Sequence, residues 1–151
     1  MQLTPHFSLE EFIATNHRNI NNQLPVGLTN NALLTCNMLE RIRAYLAMVA
    51  GKEIHLFLSS GYRCKQLNDA VGSKDTSDHV KALAADWTAP GFGTPYEVCK
   101  ALEPQVSNLD IGQLIHEYGR WVHTGAGTPK AGPNRIISIS NSGTEIGIVR
   151  V

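Results

Sequence analysis

Between Leu34 and Val49 the apolar residues Leu34, Met38, Leu39, Ile42, Leu46 and Val49 recur at the spacing of one helix face, and Gly51 follows at a natural helix end. The last third of the chain follows a different pattern. "LDIGQLIHEYGRWVHTG" reads as two strands about a turn at Tyr118 and Gly119, and "NRIISISNSGTEIGIVRV" as a hairpin over Asn141, Ser142 and Gly143. A chain with a long amphipathic helix early and strands late is expected to be α+β. With 151 residues it is expected to form one domain, 1–151, large enough for a real core.

The intervening segments fit that frame. In "HFSLEEFIATNHR", Ser8 is placed to cap a helix with Glu11 three residues on. "EIHLFLSSGYR" predicts a strand entering a Ser-Gly loop, with His55 a half-buried strand residue. "CKQLNDAVG" predicts a short helix ended by Gly72, and "TPYEVCKALEPQV" one stopped near Pro104. "ALAADWTA" is apolar enough for strand or helix.

Charge narrows the function classes. Thirteen basic and thirteen acidic residues cancel, so no basic field for nucleic acid or anionic lipid is expected. No run is long enough to cross a membrane, and "MQLTPHFSLEEF" lacks the features of a secretory signal. Synthesis in the cytoplasm is therefore expected. Cys36, Cys64 and Cys99 are odd in number and form no CxxC, and they read as reduced thiols.

Several motifs fall away on inspection. "GAGTPKAG" lacks the lysine and hydroxyl of a phosphate loop, and "SSG" lacks the flanking glycines of a nucleophile elbow. "HEYGR" begins like HExxH, but Arg120 stands where the second histidine belongs. His79 and Asp86 in "SDHVKALAAD" are more informative. On a helix they would lie about 10 Å apart along the axis. Zinc binds its ligands at about 2 Å. The pair chelates only if the chain turns near Lys81 and Ala82 and returns as a strand. His123 in "RWVHTG", sharing a strand face with Trp121, is the candidate third ligand.

Taken together, "SSGYRCKQLNDAVG", "SDHVKALAAD" and "GRWVH" resemble the zinc D-Ala-D-Ala carboxypeptidase-like peptidases, a family that includes many phage and prophage cell-wall enzymes. Ser60, Gly61, Tyr62 and Arg63 match its SGYR; Ser77, His79, Ala84 and Asp86 match its SxHxxGxAxD; Trp121 and His123 match its WxH. "FSLEEF" and "NNQLP" extend the likeness over nearly the whole chain. The resemblance implies zinc held by His79, Asp86 and His123. It also implies the fold of lysostaphin-type peptidases and the hedgehog signalling domain: a small antiparallel β-sheet flanked by helices, with zinc in a groove on the sheet. Its substrates would be the D-amino-acid-containing stem peptides of peptidoglycan.

Two departures stand out. Ala82 occupies the usual glycine position, and a turn arranged differently is expected there, since a positive φ would strain alanine. Arg120 stands three residues before His123, where many relatives carry a carboxylate, whereas Glu117 lies six before it, as in other members of the broader fold. The hairpin register separates two candidates for the general base. A two-residue turn opposes Glu117 to Arg120 and puts His116 on the face of Trp121 and His123; a three-residue turn puts Glu117 there instead. Glu117 is favoured because a carboxylate suits zinc-peptidase chemistry.

The expected activity is zinc-dependent hydrolysis of peptide bonds in peptidoglycan stems or cross-links, in the manner of an endolysin. Glu117 and Arg63 would be catalytic. Arg63, Ser77 and Trp121 would contact or orient substrate, with Trp121 as pocket wall or core. Asp110 has no resolved role. The alternative is a zinc-containing binding module on the same fold without catalysis. The partner is peptidoglycan, reached after release from the cytoplasm through a pore or from within a virion. A monomer is expected, with no nucleic-acid partner and no membrane insertion.

Overall fold

A computed structural model describes residues 1–151. The chain starts with a small hairpin, β1 (Gln2–Thr4) and β2 (Phe7–Ser8), that runs into α1 (Leu9–Ile13). A five-residue helix has little stability of its own. It is held by the capping box foreseen from Ser8 and Glu11: the Glu11 N–H donates to Ser8 Oγ at 3.2 Å, and the Ser8 N–H donates to Glu11 Oε1 at 3.0 Å. Phe12, fully buried, anchors it to the core.

The long helix α2 (Thr29–Ala50) ends at Gly51, whose φ of +69° suits glycine, with its N–H on Ala47 O at 2.9 Å. Met38, Leu39, Ile42 and Leu46 are wholly buried, each worth about 2 kcal/mol in apolar transfer. The ends of the predicted stripe are different: Leu34 is 57 % exposed and Val49 51 %. At 3.6 residues per turn Leu34 lies about 140° around the helix from Leu39, so a stripe that includes it is too wide to bury. No helix is long and apolar enough to cross a membrane.

The remaining elements are β3 (Phe57–Ser60), α3 (Lys65–Ala70), β4 (Ala84–Thr88), α4 (Pro95–Leu102), β5 (Gln113–Glu117), β6 (Trp121–Gly125), β7 (Ile136–Ser140) and β8 (Gly143–Ile146). His55 precedes β3 rather than lying in it, and is exposed beside Phe57 at a ring separation of 4.2 Å. "ALAADWTA" resolves as strand β4.

Strands β3 to β8 form one six-stranded sheet in the order β3-β4-β6-β5-β7-β8. The sheet is larger than expected and is mixed, because β5 and β7 are parallel. The topology explains this. The β5–β6 hairpin returns the chain to the end where β5 begins. A strand that starts there and joins the free edge of β5 must run alongside it in the same direction. β7 then turns through Asn141 and Ser142 into β8, pairing Ser140 with Gly143.

One sheet face, with Trp87, Leu114 and Val122, packs into the helical core with Met38, Leu39, Val98 and Leu102. Trp87 satisfies its indole N–H on Thr124 Oγ1 at 2.9 Å. On this face the sheet and helices share one apolar cluster. The other face carries Asp86, Glu117 and His123.

Candidate metal centre

His79 sits on a 3-10 turn, Asp78–Lys81, which Ser77 caps by accepting the His79 N–H at 3.2 Å. The turn ends at Ala82, whose φ is +59°. The chain therefore makes the left-handed turn after all, with alanine in the glycine position, contrary to the expectation of a different arrangement. Such a conformation costs an L-residue about 1–2 kcal/mol. Its surroundings hold it there: Ala82 is fully buried, its carbonyl accepts Thr35 Oγ1 at 2.8 Å, and the Leu83 N–H reaches back to Asp78 O at 2.9 Å. The reversal sends β4 back past His79, bringing Asp86 Oδ2 to 3.3 Å from His79 Nε2.

The sheet register supplies the third group. Asp86 lies directly opposite His123, and His123 Nδ1 lies 2.9 Å from Asp86 Oδ1. His79, Asp86 and His123 each present one donor atom, all within 4.8 Å of one another, and all three residues are buried. The His79 ring is fixed from behind. Its Nδ1 is 2.6 Å from Gly61 O, and a carbonyl can only accept, so Nδ1 carries the proton and Nε2 the lone pair. That Nε2 is buried without a hydrogen-bond partner, for its 3.3 Å approach to Asp86 lacks hydrogen-bond geometry. An orphaned imidazole lone pair, a carboxylate and a second imidazole suit a borderline cation such as zinc.

The β5–β6 turn decides between the two candidate bases. The Arg120 N–H closes it on Glu117 O at 3.0 Å, with Tyr118 (φ +56°) and Gly119 (φ +67°) left-handed. Arg120 is left over as an extra residue, so Glu117 pairs with Trp121 and Ile115 with His123. This is the three-residue register. Glu117 Oε1 lies 3.6 Å from His123 Nδ1. His116 faces the other way, buried, with Nδ1 3.0 Å from Val149 O and its ring 5.8 Å from Tyr96.

Electrostatics separates the two carboxylates. Burial alone would raise Asp86, but positive charge on the His79 and His123 rings, whenever they carry it, and the hydrogen bond to His123 override this and hold Asp86 well below the usual carboxylate range. Burial raises Glu117, and the nearby Asp86 charge adds to this, so Glu117 holds a proton more readily than an ordinary glutamate. Burial opposes charge on His123, yet its hydrogen bond to Asp86 raises it on balance.

These groups open into a cavity of about 580 Å³, of which Arg63, Ser77 and Trp121 also form part of the lining. Trp121 is thus a wall of the cavity. Arg63 follows β3 in the loop; its N–H donates to His79 O at 3.1 Å and its Nη2 to Ser77 Oγ at 3.4 Å, while its Nε is buried and unpaired. Burial pulls the guanidinium below its ordinary value, countered by the Asp86 and Glu117 charges. Asp110 is not at the cavity. It is exposed, has a φ of +52°, and lies 3.4 Å from Lys130. Cys36 and Cys99 are buried elsewhere, and all three thiols are free.

Two contributors have roles that the sequence reading did not assign. Asn22 clamps the SGYR loop: its Nδ2 donates to Ile13 O and Tyr62 O, both at 2.9 Å, and its Oδ1 accepts the Cys64 N–H at 2.7 Å. It lies in "NNQLP", a stretch noted without a role. Gly61 is required by close approach as well as by its carbonyl, since a Cβ there would lie 2.3 Å from Phe12 O. The glycine inside SGYR was the available signal.

No curated protein matches the chain in sequence. The family model described as Peptidase M15 matches residues 5–125, a span that contains Arg63, His79, Asp86, Glu117 and His123, and on that match the chain belongs to the Peptidase M15 family.

Proposed function

We propose that the protein is a zinc-dependent peptidase that hydrolyses bonds in the stem peptides or cross-links of peptidoglycan, with D-Ala-type bonds favoured. The observation that carries this reading is the unpartnered His79 Nε2 facing Asp86 and His123, with Glu117 3.6 Å beyond. His79, Asp86 and His123 would hold the ion. When bound, zinc polarises the scissile carbonyl and makes water a better acid.

The chain's own groups supply the rest. Glu117, raised by burial, takes a proton from the attacking water and delivers it to the leaving amine. Arg63 offers its guanidinium at the cavity wall to a substrate carboxylate or to the oxyanion that develops. Ser77 orients the His79 turn and Arg63 together. Trp121 walls the cavity. A non-catalytic module would have no use for a half-buried carboxylate of raised proton affinity beside the ligand set.

The test is digestion of purified peptidoglycan by the zinc-loaded protein, with products identified by mass spectrometry. New peptide termini are expected, and their masses name the bond. Intact muropeptides after prolonged incubation with fully loaded protein would refute the reading.

A further inference from the structure

A second cavity, of about 600 Å³, adjoins the first and shares Tyr118 and Trp121 with it. The two rings form the ridge between them, with centroids 5.6 Å apart. Beyond the ridge the walls are Arg120, Ser140, Glu145 and Arg150, with Asn141 and Ser142 at the β7–β8 turn. Most of this wall lies outside residues 5–125, so it comes from the C-terminal hairpin and the segment after it, outside the part that matches the family.

The charge of the wall is specific. Arg120 and Arg150 form no ion pair, although carboxylates elsewhere on the surface find lysine or arginine partners. Arg150 is held in place by its guanidinium lying 4.3 Å over the Tyr96 ring, a contact that leaves its outward N–H groups free. Glu145 is the one acidic side chain in the wall, which Val151 completes, against the two guanidiniums of Arg120 and Arg150. Hydroxyl and amide groups of Ser140, Asn141 and Ser142 add neutral donors. A cavity of this size, with fixed cations and neutral donors, suits a carboxylate on a peptide.

We propose that this second cavity is a subsite for an acidic segment of the peptide substrate, bound through its carboxylate by Arg120 and Arg150. The inference rests on the peptidase reading of the first cavity for the identity of the peptide. Arg120, in the turn just before β6, lies three residues before His123, at most about 10 Å of backbone. An extended peptide with its reacting bond at the first cavity therefore places a carboxylate two or three residues away over the ridge. The subsite selects substrates that continue past the scissile bond and carry a free acid there.

The experiment uses zinc-loaded Glu117→Gln chain, to prevent hydrolysis, and two synthetic probes. One is the stem peptide L-Ala-γ-D-Glu-L-Lys-D-Ala-D-Ala with the glutamate α-carboxylate free; the other carries that group as an amide. Calorimetric titration at low salt should show the acid binding about tenfold or more tightly than the amide, the scale of one charge-assisted contact. Adding Arg120→Gln and Arg150→Gln should bring the two to parity, and salt should weaken the acid more than the amide. A second measurement guards against damage from Glu117→Gln: the acid-to-amide ratio of kcat/KM, which should fall by a similar factor when both arginines are replaced in the otherwise unaltered chain. Equal or undetectable binding of the two probes, or a preference that survives both replacements, overturns the subsite. If the preference behaves as expected while peptidoglycan stays intact, the hydrolase reading fails and the subsite stands. If hydrolysis proceeds without preference, the subsite alone fails.

Discussion

Replacing Glu117 by glutamine keeps the size of the side chain and its place opposite Trp121 but removes the proton acceptor. Glu117 lies half-buried 3.6 Å from His123 Nδ1, and the other carboxylates of the cavity are committed: Asp86 lies against both histidines and Asp78 lies 3.8 Å from Lys81 Nζ. His116 cannot move in, since its ring is on the far sheet face and bound to Val149 O. The expected loss in kcat is therefore the full scale of general acid-base catalysis, about 10²- to 10⁴-fold, or about 3–5 kcal/mol of barrier. Zinc content should not change, and His116→Ala should cost far less. The assay is release of peptide termini from isolated peptidoglycan under saturating zinc, with metal measured by elemental analysis. A Glu117→Gln chain that keeps its zinc and turns over within tenfold of the unaltered chain would refute the assignment.

The same substitution has a signature in the metal-free protein that owes nothing to catalysis. The folded-state pKa of Glu117 lies above its unfolded value, near 4.5, because burial and Asp86 disfavour the charge. Its contribution to stability is fully present below that value and is lost as pH rises through the higher folded value. Glutamine cannot ionise. The stability gap should therefore shift in favour of Glu117→Gln as pH rises from about 4.5, then level off. Denaturant titrations of metal-free protein across that window measure it, and a gap that moves the other way contradicts the buried-carboxylate description.

Purified protein should carry one zinc, and His79→Ala or Asp86→Ala should lose it; elemental analysis showing full retention in both would remove them as ligands. Arg63→Lys keeps the charge but not the planar fork, so turnover should fall by at least tenfold with zinc retained, and unaltered rates would leave Arg63 a structural role. Ala82→Gly relieves about 1–2 kcal/mol of left-handed strain but gives up about 0.8 kcal/mol of buried methyl and up to about 1 kcal/mol of chain entropy, so thermal unfolding should move little. Ala82→Val adds a β-branched side chain to a buried left-handed position and should cost more than about 2 kcal/mol; a neutral result would mean that the turn has another way to close.

The ligand triad was legible because its residues lie in short motifs whose chemistry needs close approach. His79 and Asp86 cannot meet on a helix, so their spacing already required a reversal between them. The helix α2 was legible from its period, but not how wide a stripe it buries, because Leu34 and Leu39 carry the same side chain and differ only in what faces them. The parallel β5–β7 pair was hidden for a related reason. Alternation reports that a segment is a strand, not which neighbour it takes, and the neighbour of β7 is set by where β6 leaves the chain. Asn22 was invisible since an asparagine binding three backbone groups looks, in sequence, like any loop asparagine.

The choice of base shows most clearly what a sequence withholds. Glu117 and His116 are adjacent, so one of them must face the metal cluster whichever register the hairpin takes. The first step of the turn resembles the two-residue form: Tyr118 and Gly119 are left-handed, and Arg120 N–H bonds to Glu117 O. What changes the face is Arg120 staying outside the ladder, so that pairing resumes at Trp121 and then matches Val122 with His116. Val122 is wholly buried in the core and is flanked by Trp87 and His116, both buried, on the neighbouring strands. A slip by one residue would place Val122 on the polar face and drive His123 into the core, away from Asp86. The register is thus enforced by burial on the far side of the sheet, and the position of Glu117 at the cavity follows from where Val122 must go.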